Sequence, residues 1–277
     1  MHEKERHNAI LNAVRDRPVV TVKEMVDLTG ASEATIRRDI SSLEYSKKLR
    51  RVHGGAEALS PPQVSGLVGR PFNVSATINT QKKRAIAKLA VEMCADGEPI
   101  IINGGTTTFQ MVHFLSLKRL PIFTNSFAIA EHLLKHSKNT VTMPGGTIYR
   151  EQNIILSPFE NDVSRNFYAR RMFMGAQGLG PLGLMEADPL LIQAEQKLID
   201  QAEELVVLVD SSKFLQRSSL ILCGLKRIHT VITDDGIGET EKTMLEDAGV
   251  ALKIAPLSAS RPKESSQMTE ETFVQMR

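Results

Sequence analysis

The chain reads as an α/β protein in two unequal parts, a small N-terminal helix-turn-helix module with a β wing and a larger domain built on a mostly parallel sheet. Three observations predict this. Near the start, two short amphipathic segments meet at Gly30, each opened by a capping residue. From Pro99 onward, short apolar runs alternate with amphipathic stretches, the pattern of strands covered by helices on both faces. Between the two parts, residues 60–78 hold proline, glycine and serine without periodicity, as a linker does. The predicted division is 1–59, a linker over 60–78, 79–257, and a tail over 258–277 whose polar composition reads as disordered.

In the first part, Ile10, Leu11 and Val14 form the apolar face of a helix from Glu3 to Arg15, stopped by Pro18. Thr21 and Glu24 match a capping box, opening a helix that turns Val22, Met25, Val26 and Leu28 inward. Gly30 sits where a left-handed residue ends that helix, and Ser32 caps the next. At about 100° per residue, Ile36, Ile40 and Leu43 of this third helix share one inward stripe. Ala34, Arg38, Ser41 and Tyr45 then point outward, with Ser32, Thr35, Arg37 and Ser42 on the flanks. Asp39 leans toward the core, where it fixes an arginine such as Arg6.

Small residues near the start of that helix permit close approach to base edges. Arg38 suits guanine or phosphate, and the hydroxyls suit phosphate. Lys48, Arg50, Arg51 and His53 follow on an alternating segment, and Gly54-Gly55 supplies the turn of a wing ending near Leu59. Between Arg37 and His53, six Lys or Arg stand against Asp39 and Glu44. An isolated Arg-Arg pair is more often a solvated face of a plain helical bundle. The caps, the turn, the inward stripe and the basic wing together favour a helix that enters the DNA major groove.

In the second part, strands are predicted at Pro99–Ile102, 122–123, 141–143, 172–174, 205–209 and 231–233, and helices at 81–94, 107–117, 127–135, 190–202 and 240–248. Ligands of such sheets gather at the carboxyl ends of strands. There the sequence places Asn103-Gly104-Gly105-Thr106-Thr107-Thr108, Asn125, Gly145-Gly146, Gln177 and Lys213. Inward-turning amides, hydroxyls and an ammonium suit a small phosphorylated, hydroxyl-rich molecule. Any one glycine pair here is more often a mere strand-to-helix turn. Neither the spacing of a dinucleotide fingerprint nor that of a phosphate-binding nucleotide loop is present.

Bulk properties set limits. With 277 residues, 42% hydrophobic and 24% charged, the chain is an ordinary globular protein long enough for two domains. No apolar run reaches a membrane span and the start lacks a signal-peptide core, so no membrane role and a cytoplasmic location are expected. Cys94 and Cys223, far apart, read as core filler in a reducing compartment. His113, His132, His136 and His229 show no ligand spacing, and neither a metal nor a cofactor is expected.

Arg6, Ile10, Val14, Ser32, Thr35-Ile-Arg-Arg-Asp-Ile40 and Val52-His-Gly-Gly-Ala56 together resemble the signature of the DeoR family of bacterial regulators. Lys83-Arg-Ala-Ile-Ala-Lys88, Gly104-Gly-Thr-Thr-Thr108, Thr124-Asn125, Gly145-Gly146, Phe173-Met-Gly-Ala176, Ala194-Glu-Gln-Lys197 and Val209-Asp-Ser-Ser-Lys213 resemble its sensor domain. With Leu156-Ser-Pro158, the last two are most similar to the ascorbate-utilisation repressor branch, which does not fix the effector. The resemblance implies a Rossmann-like sensor similar to ribose-5-phosphate isomerase, a double-stranded operator, a homo-oligomer (dimer or tetramer) and repression of a carbohydrate-utilisation operon relieved by a phosphorylated sugar or sugar acid. It also implies that Gly105 to Thr108 hold the phosphate, and that Asn125, Gly146, Glu195, Lys197 and Lys213 line the sugar side.

Two other readings stand beside it. An isomerase needs a positioned base and polar groups for the enediolate. The carboxylate-rich segment of the isomerases falls where this chain has Met174-Gly-Ala-Gln-Gly178, so no enzyme is expected. A constitutive DNA-binding protein whose second domain only oligomerises is the other.

Overall fold

The computed structural model describes residues 2–16, 19–52, 54–58, 72–159 and 161–257. The expected disordered tail, His53 and the linker up to residue 71 lie outside the described residues.

The N-terminal module contains α1 (Glu3–Asp16), β1 (Val20–Thr21), α2 (Val22–Thr29), α3 (Glu33–Tyr45), β2 (Leu49–Val52) and β3 (Gly55–Ala58). Its core is one apolar cluster in which Ile10 and Val14 of α1, Met25 of α2, and Ile36, Ile40 and Leu43 of α3 are all buried. Leu28, expected inward, is instead exposed, because it lies to one side of the stripe of α2 that buries Val22, Met25 and Thr29. The predicted caps are present. Thr21 and Glu24 close a full capping box, Gly30 ends α2 at φ 67°, and the Ser32 hydroxyl accepts from the Thr35 amide. Asp39 is buried and accepts from both Arg6 Nε and Nη2, with His7 Nε2 3.2 Å from the same carboxylate. Burial disfavours ionisation of Asp39, but the Arg6 guanidinium outweighs it and holds the group below the usual carboxylate range. The wing is a three-stranded antiparallel sheet in the order β1-β3-β2, so β1 adds a strand that the sequence pattern did not give. A Cβ on Gly55 would lie 2.1 Å from the Val20 carbonyl oxygen, so glycine is what lets β1 and β3 pair.

In the second part the chain continues with α4 (Phe72–Ala76), α5 (Thr80–Glu92), β4 (Ile100–Ile102), α6 (Thr106–Phe109), α7 (Val112–Leu115), β5 (Pro121–Thr124), α8 (Phe127–His136), β6 (Thr140–Thr142), β7 (Thr147–Tyr149) and β8 (Ile154–Leu156). Next come β9 (Ala169–Met174), β10 (Gly178–Gly180), β11 (Gly183–Glu186), α9 (Pro189–Ile199), β12 (Ala202–Leu208), β13 (Leu220–Cys223), β14 (Thr230–Asp234), α10 (Glu239–Asp247) and β15 (Ala251–Ala255). Seven of these strands form a parallel sheet in the order β15-β14-β12-β9-β4-β5-β6. Ile100 and Ile102 enter the apolar layer beneath α5, α7 and α8, and Ile101 enters the opposite layer with α9 and α10. This two-sided burial is why β4 reads as a continuous apolar run.

All six predicted strands belong to the sheet. The seventh, β15, is half-exposed at an edge and carries Lys253, so its composition gave little signal. Two expectations are corrected. The end of the presumed linker is not irregular: residues 72–76 are helical and Phe72 is 8% exposed. The single helix expected over 107–117 is two short helices, α6 and α7, broken at Gln110-Met111.

Candidate DNA interface and candidate effector site

On α3 the burial divides as the helical periodicity requires. Ile36, Ile40 and Leu43 are buried, while Ser32, Ala34, Arg37, Arg38, Ser42 and Tyr45 are exposed and Thr35 and Ser41 half-buried. Lys48, Arg50 and Arg51 of the wing are exposed as well. These groups are not equally available. Arg37 lies 2.7 Å from Glu33 one turn earlier, and Arg50 lies 2.8 Å from Glu57 across the hairpin. Arg51 takes the Ser41 hydroxyl at 3.4 Å, and its amide donates to Glu44. The Ser32 and Thr35 hydroxyls contact each other in the cap. The side chains of Arg38 and Lys48 make no hydrogen bond or ion pair among the described residues. A shallow concavity between α3 and the wing is floored by Val22, Ile40, Val52 and Gly55 and edged by Arg37 and Arg51. It brings the recognition helix and the wing to one face.

The second site follows from strand order. Chain direction through the sheet reverses between β4 and β9, and such a reversal leaves a crevice beyond the carboxyl ends of the two strands. A cleft with a cavity volume of about 90 Å³ lies there. Its walls include Gly104 to Thr107 after β4, Gly175 to Gln177 after β9, Glu195 from α9 and Lys213 from the turn after β12. Gly104 is held by its amide, which donates to Asn125 Oδ1 at 2.8 Å, and a Cβ there would fall 2.2 Å from Ile154 Cγ2. The first-turn amides of α6 have no partner within the helix, and only one turn stands behind them. The macrodipole expected of a long helix is therefore small here, and the amides themselves supply the attraction.

Several predicted residues do not line the cleft. Asn103 lies behind it, donating from Nδ2 to Glu195 Oε1 at 2.7 Å. Thr108 is buried and donates to the Asn103 carbonyl. Asn125 supports the loop from below and opens on a separate small cavity shared with Lys197. Lys197 is two positions from Glu195, hence on the other side of α9, and reaches the Phe159 carbonyl at 2.9 Å. Gly145 and Gly146 shape the entry to the β7–β8 hairpin: Gly146 has φ 156° and no room for a Cβ beside the Leu156 carbonyl. These six residues support the loop or belong to neighbouring structure, because strand-end position alone does not say which way a residue faces.

Other residues enter unannounced. Lys83 is buried on the stripe of α5 shared with Ile86, Ala87, Ala90 and Val91, lines the cleft, and donates to the Ser75 carbonyl at 2.5 Å. A lysine at helical spacing among apolar residues was the available signal. Phe72 and Ser75 of α4 and Gln152 also face the cleft. Glu186 ends β11, a strand the sequence pattern did not give. Burial pushes Glu186 up to about 7, with the Asp188 charge adding to it and the Ala187 amide and Lys213 opposing. Burial and then the Glu186 charge raise Glu195 well above the usual carboxylate range. Asp188 caps α9 and accepts from the Tyr149 hydroxyl at 2.8 Å.

Among the described residues no group of His, Cys, Asp and Glu is arranged to hold a metal. No helix among them is long and apolar enough to cross a membrane. His113, His132 and His136 nonetheless meet, with ring centroids 5.4 and 4.7 Å apart in succession.

Residues 6–61 match the DeoR-like helix-turn-helix domain and residues 78–235 the DeoR C terminal sensor domain. The chain belongs to the DeoR family. An HTH-type transcriptional regulator UlaR of Shigella dysenteriae serotype 1 is 34% identical over 91% of this chain and 99% of its own length. The UlaR regulator of Escherichia coli K12 is identical to the same degree over the same shares. Among solved structures, ribose 5-phosphate isomerase A from Methanocaldococcus jannaschii is 19% identical, covering 49% of this chain and 55% of that one, with a TM-score of 0.38. eIF2B delta from Chaetomium thermophilum is 12% identical, covering 76% and 63%, with a TM-score of 0.37. The family membership expected from the helix-turn-helix and sensor motifs is met.

Proposed function

We propose that this DeoR-family protein is a DNA-binding transcriptional regulator, a repressor of a carbohydrate-utilisation operon released when a phosphorylated sugar or sugar acid occupies the cleft at the β4–β9 reversal. The observation that carries it is Arg38, exposed and unpaired among the described residues on a helix seated by Ile36, Ile40 and Leu43. That family places a sensor domain on the same chain, and here the cleft combines inward amides with buried carboxyl groups. In this reading Gly105, Thr106 and Thr107 take the phosphate, and Gln152, Gln177, Glu186, Glu195 and Lys213 face the carbon chain.

One recognition helix reads too few base pairs for genomic specificity, so the protein acts as a dimer or tetramer on a near-palindromic operator in the cytoplasm. Helix α4 is the route from ligand to DNA. It joins the linker at Phe72 and forms one wall of the cleft. Three cleft elements hold it, through Lys83, the Glu151 carbonyl and the ring of Phe109. Effector occupancy acts by preferring one placement of α4 over another.

The test is a footprint on the promoter beside the gene. Arg38→Ala should weaken protection and relax specificity at one position by about 1–3 kcal/mol. Thr106→Ala with Thr107→Ala should keep protection and lose release by phosphosugars. An unchanged footprint in Arg38→Ala removes the assignment of the DNA face.

Catalysis is the second reading, favoured by one observation: Glu186 and Glu195 bring two proton-binding carboxyl groups to the cleft. Incubation with ribose 5-phosphate, followed for ribulose 5-phosphate, separates the two, and no product is expected.

A further inference from the structure

We propose that Arg6 and His7 of α1 form a clamp on Asp39 that sets the rotation of the recognition helix α3, and that this clamp determines which base pairs the exposed Arg38 meets. The inference rests on α3 being the DNA-reading helix. It adds α1, which carries none of the side chains assigned to the DNA face, to the determinants of operator choice.

Both halves of the clamp occupy positions that apolar side chains would fill in a plain helical core. On α3, Asp39 is buried on the same stripe as Ile36, Ile40 and Leu43. On α1, Arg6 stands one turn before Ile10 and two before Val14, so it continues the inward stripe of that helix. Arg6 Nε donates to Asp39 Oδ2 at 2.5 Å and Nη2 to Oδ1 at 3.1 Å, while His7 Nε2 comes within 3.2 Å of Oδ1. The Arg6 and Asp39 side chains are only 13% and 6% exposed, so this is not a solvated surface pair. Stability does not explain it. Taking two charges out of water costs about as much as their attraction returns, and apolar side chains of like volume often hold a core as well or better. What the pair supplies is direction.

Apolar side chains tolerate small turns of a helix about its own axis, whereas a carboxylate gripped by two prongs of a guanidinium fits at one setting. Asp39 is the next residue after Arg38, about 100° further round the helix. Holding its carboxylate inward therefore fixes where the Arg38 guanidinium points. A side chain that reads base edges must be kept within about 10–20° of its working direction. The contacts of Ile36, Ile40 and Leu43 seat α3 on the module, and the clamp narrows its rotation to that range. Arg38 itself has no partner in the protein to orient it, so its aim is inherited from its neighbour.

The test begins with duplexes selected by the full chain from a random pool, the enriched sequence serving as operator. Fluorescence anisotropy then gives each variant's affinity for that operator, for every single-base-pair substitution in it, and for a scrambled duplex of equal length. Arg6→Met combined with Asp39→Leu exchanges the ion pair for apolar side chains of similar size. It is expected to keep or raise Tm. Its affinity for the scrambled duplex should stay within about twofold, because the phosphate contacts are untouched. Its preference for the operator should fall about tenfold or more, at the same base pairs whose substitution Arg38→Ala makes tolerable. Arg6→Lys keeps the charge but offers a point donor in place of the fork, and carries the same measurement if the double variant does not fold. His7→Ala should lose part of the preference, and His7→Gln, whose amide still donates, should restore it. A folded double variant or Arg6→Lys that keeps the whole preference overturns the inference. So does a loss that affects operator and scrambled duplex equally, in step with Tm, since that marks a merely structural pair. If the unaltered chain enriches no sequence at all, the reading of α3 as a DNA-reading helix fails, and the inference with it.

Discussion

Glu195 and Lys197 stand two residues apart on α9 and both carry charges that a phosphosugar site would use, yet only Glu195 meets the cleft. Sequence alone offered both, because it gives spacing along a helix but not which side the sheet covers. Glu186 was hidden for another reason: the small antiparallel sheet that places it is short and Gly-rich, with little periodicity to read. Its protonation has a measurable consequence. The native state binds protons that the unfolded chain releases above about pH 4.5, so the stability linked to Glu186 is present below that pH and is lost as pH rises through about 7. Glu186→Gln should flatten the fall in Tm over that interval, measured by calorimetric scans from pH 5 to 8. Gly104 is constrained by packing instead. Gly104→Ala would press a Cβ on Ile154 and should cost about 1–3 kcal/mol by urea unfolding, with weaker phosphate binding.

The helices and strands of the DNA-binding module were nearly all legible, because each is marked locally by Thr21, Glu24, Gly30 or Ser32. Ser32→Ala removes the cap of α3 and should lower stability by about 1 kcal/mol in a thermal melt of the full chain, with a parallel loss of operator affinity. Helix α4 was not legible. It is a single turn and a half in a proline- and glycine-rich setting, and what fixes it is tertiary: the Phe72 ring against Phe109 at 5.8 Å and the Lys83 ammonium on Ser75. The histidines of α7 and α8 were likewise separate in sequence and joined only by folding. Burial lowers the proton affinity of His113 and His132, and Arg84 for the first and His136 for the second add repulsion. Below about pH 6.5 the unfolded chain therefore binds protons that the folded one refuses, and stability falls as pH falls. His132→Gln should make that fall shallower in melts between pH 7 and 5.5, and an equal slope would remove the assignment.

Across the whole molecule, the parallel sheet was predictable from alternation, but the crevice came from the order of its strands, which no local pattern states. The reversal between β4 and β9 puts the loop after Ile102 opposite the loop after Met174 and so makes one site from segments about seventy residues apart. A ligand that prefers this folded arrangement must raise Tm. At a hundredfold excess over its Kd the gain is about 2.7 kcal/mol, and a thermal-shift series with sugar phosphates should show it rising with concentration. A flat series would favour a second domain that serves assembly alone.

The two ion pairs of the DNA face, Arg37 with Glu33 and Arg50 with Glu57, bear on how the protein meets a polyanion. Each already neutralises a cation, so fewer guanidinium and ammonium groups remain to displace the sodium or potassium condensed on the duplex. Of the six basic side chains between Arg37 and Arg51, four keep their full charge for phosphates, and the logarithm of operator affinity should decline with that of salt by about 3.6 per subunit rather than about 5.4.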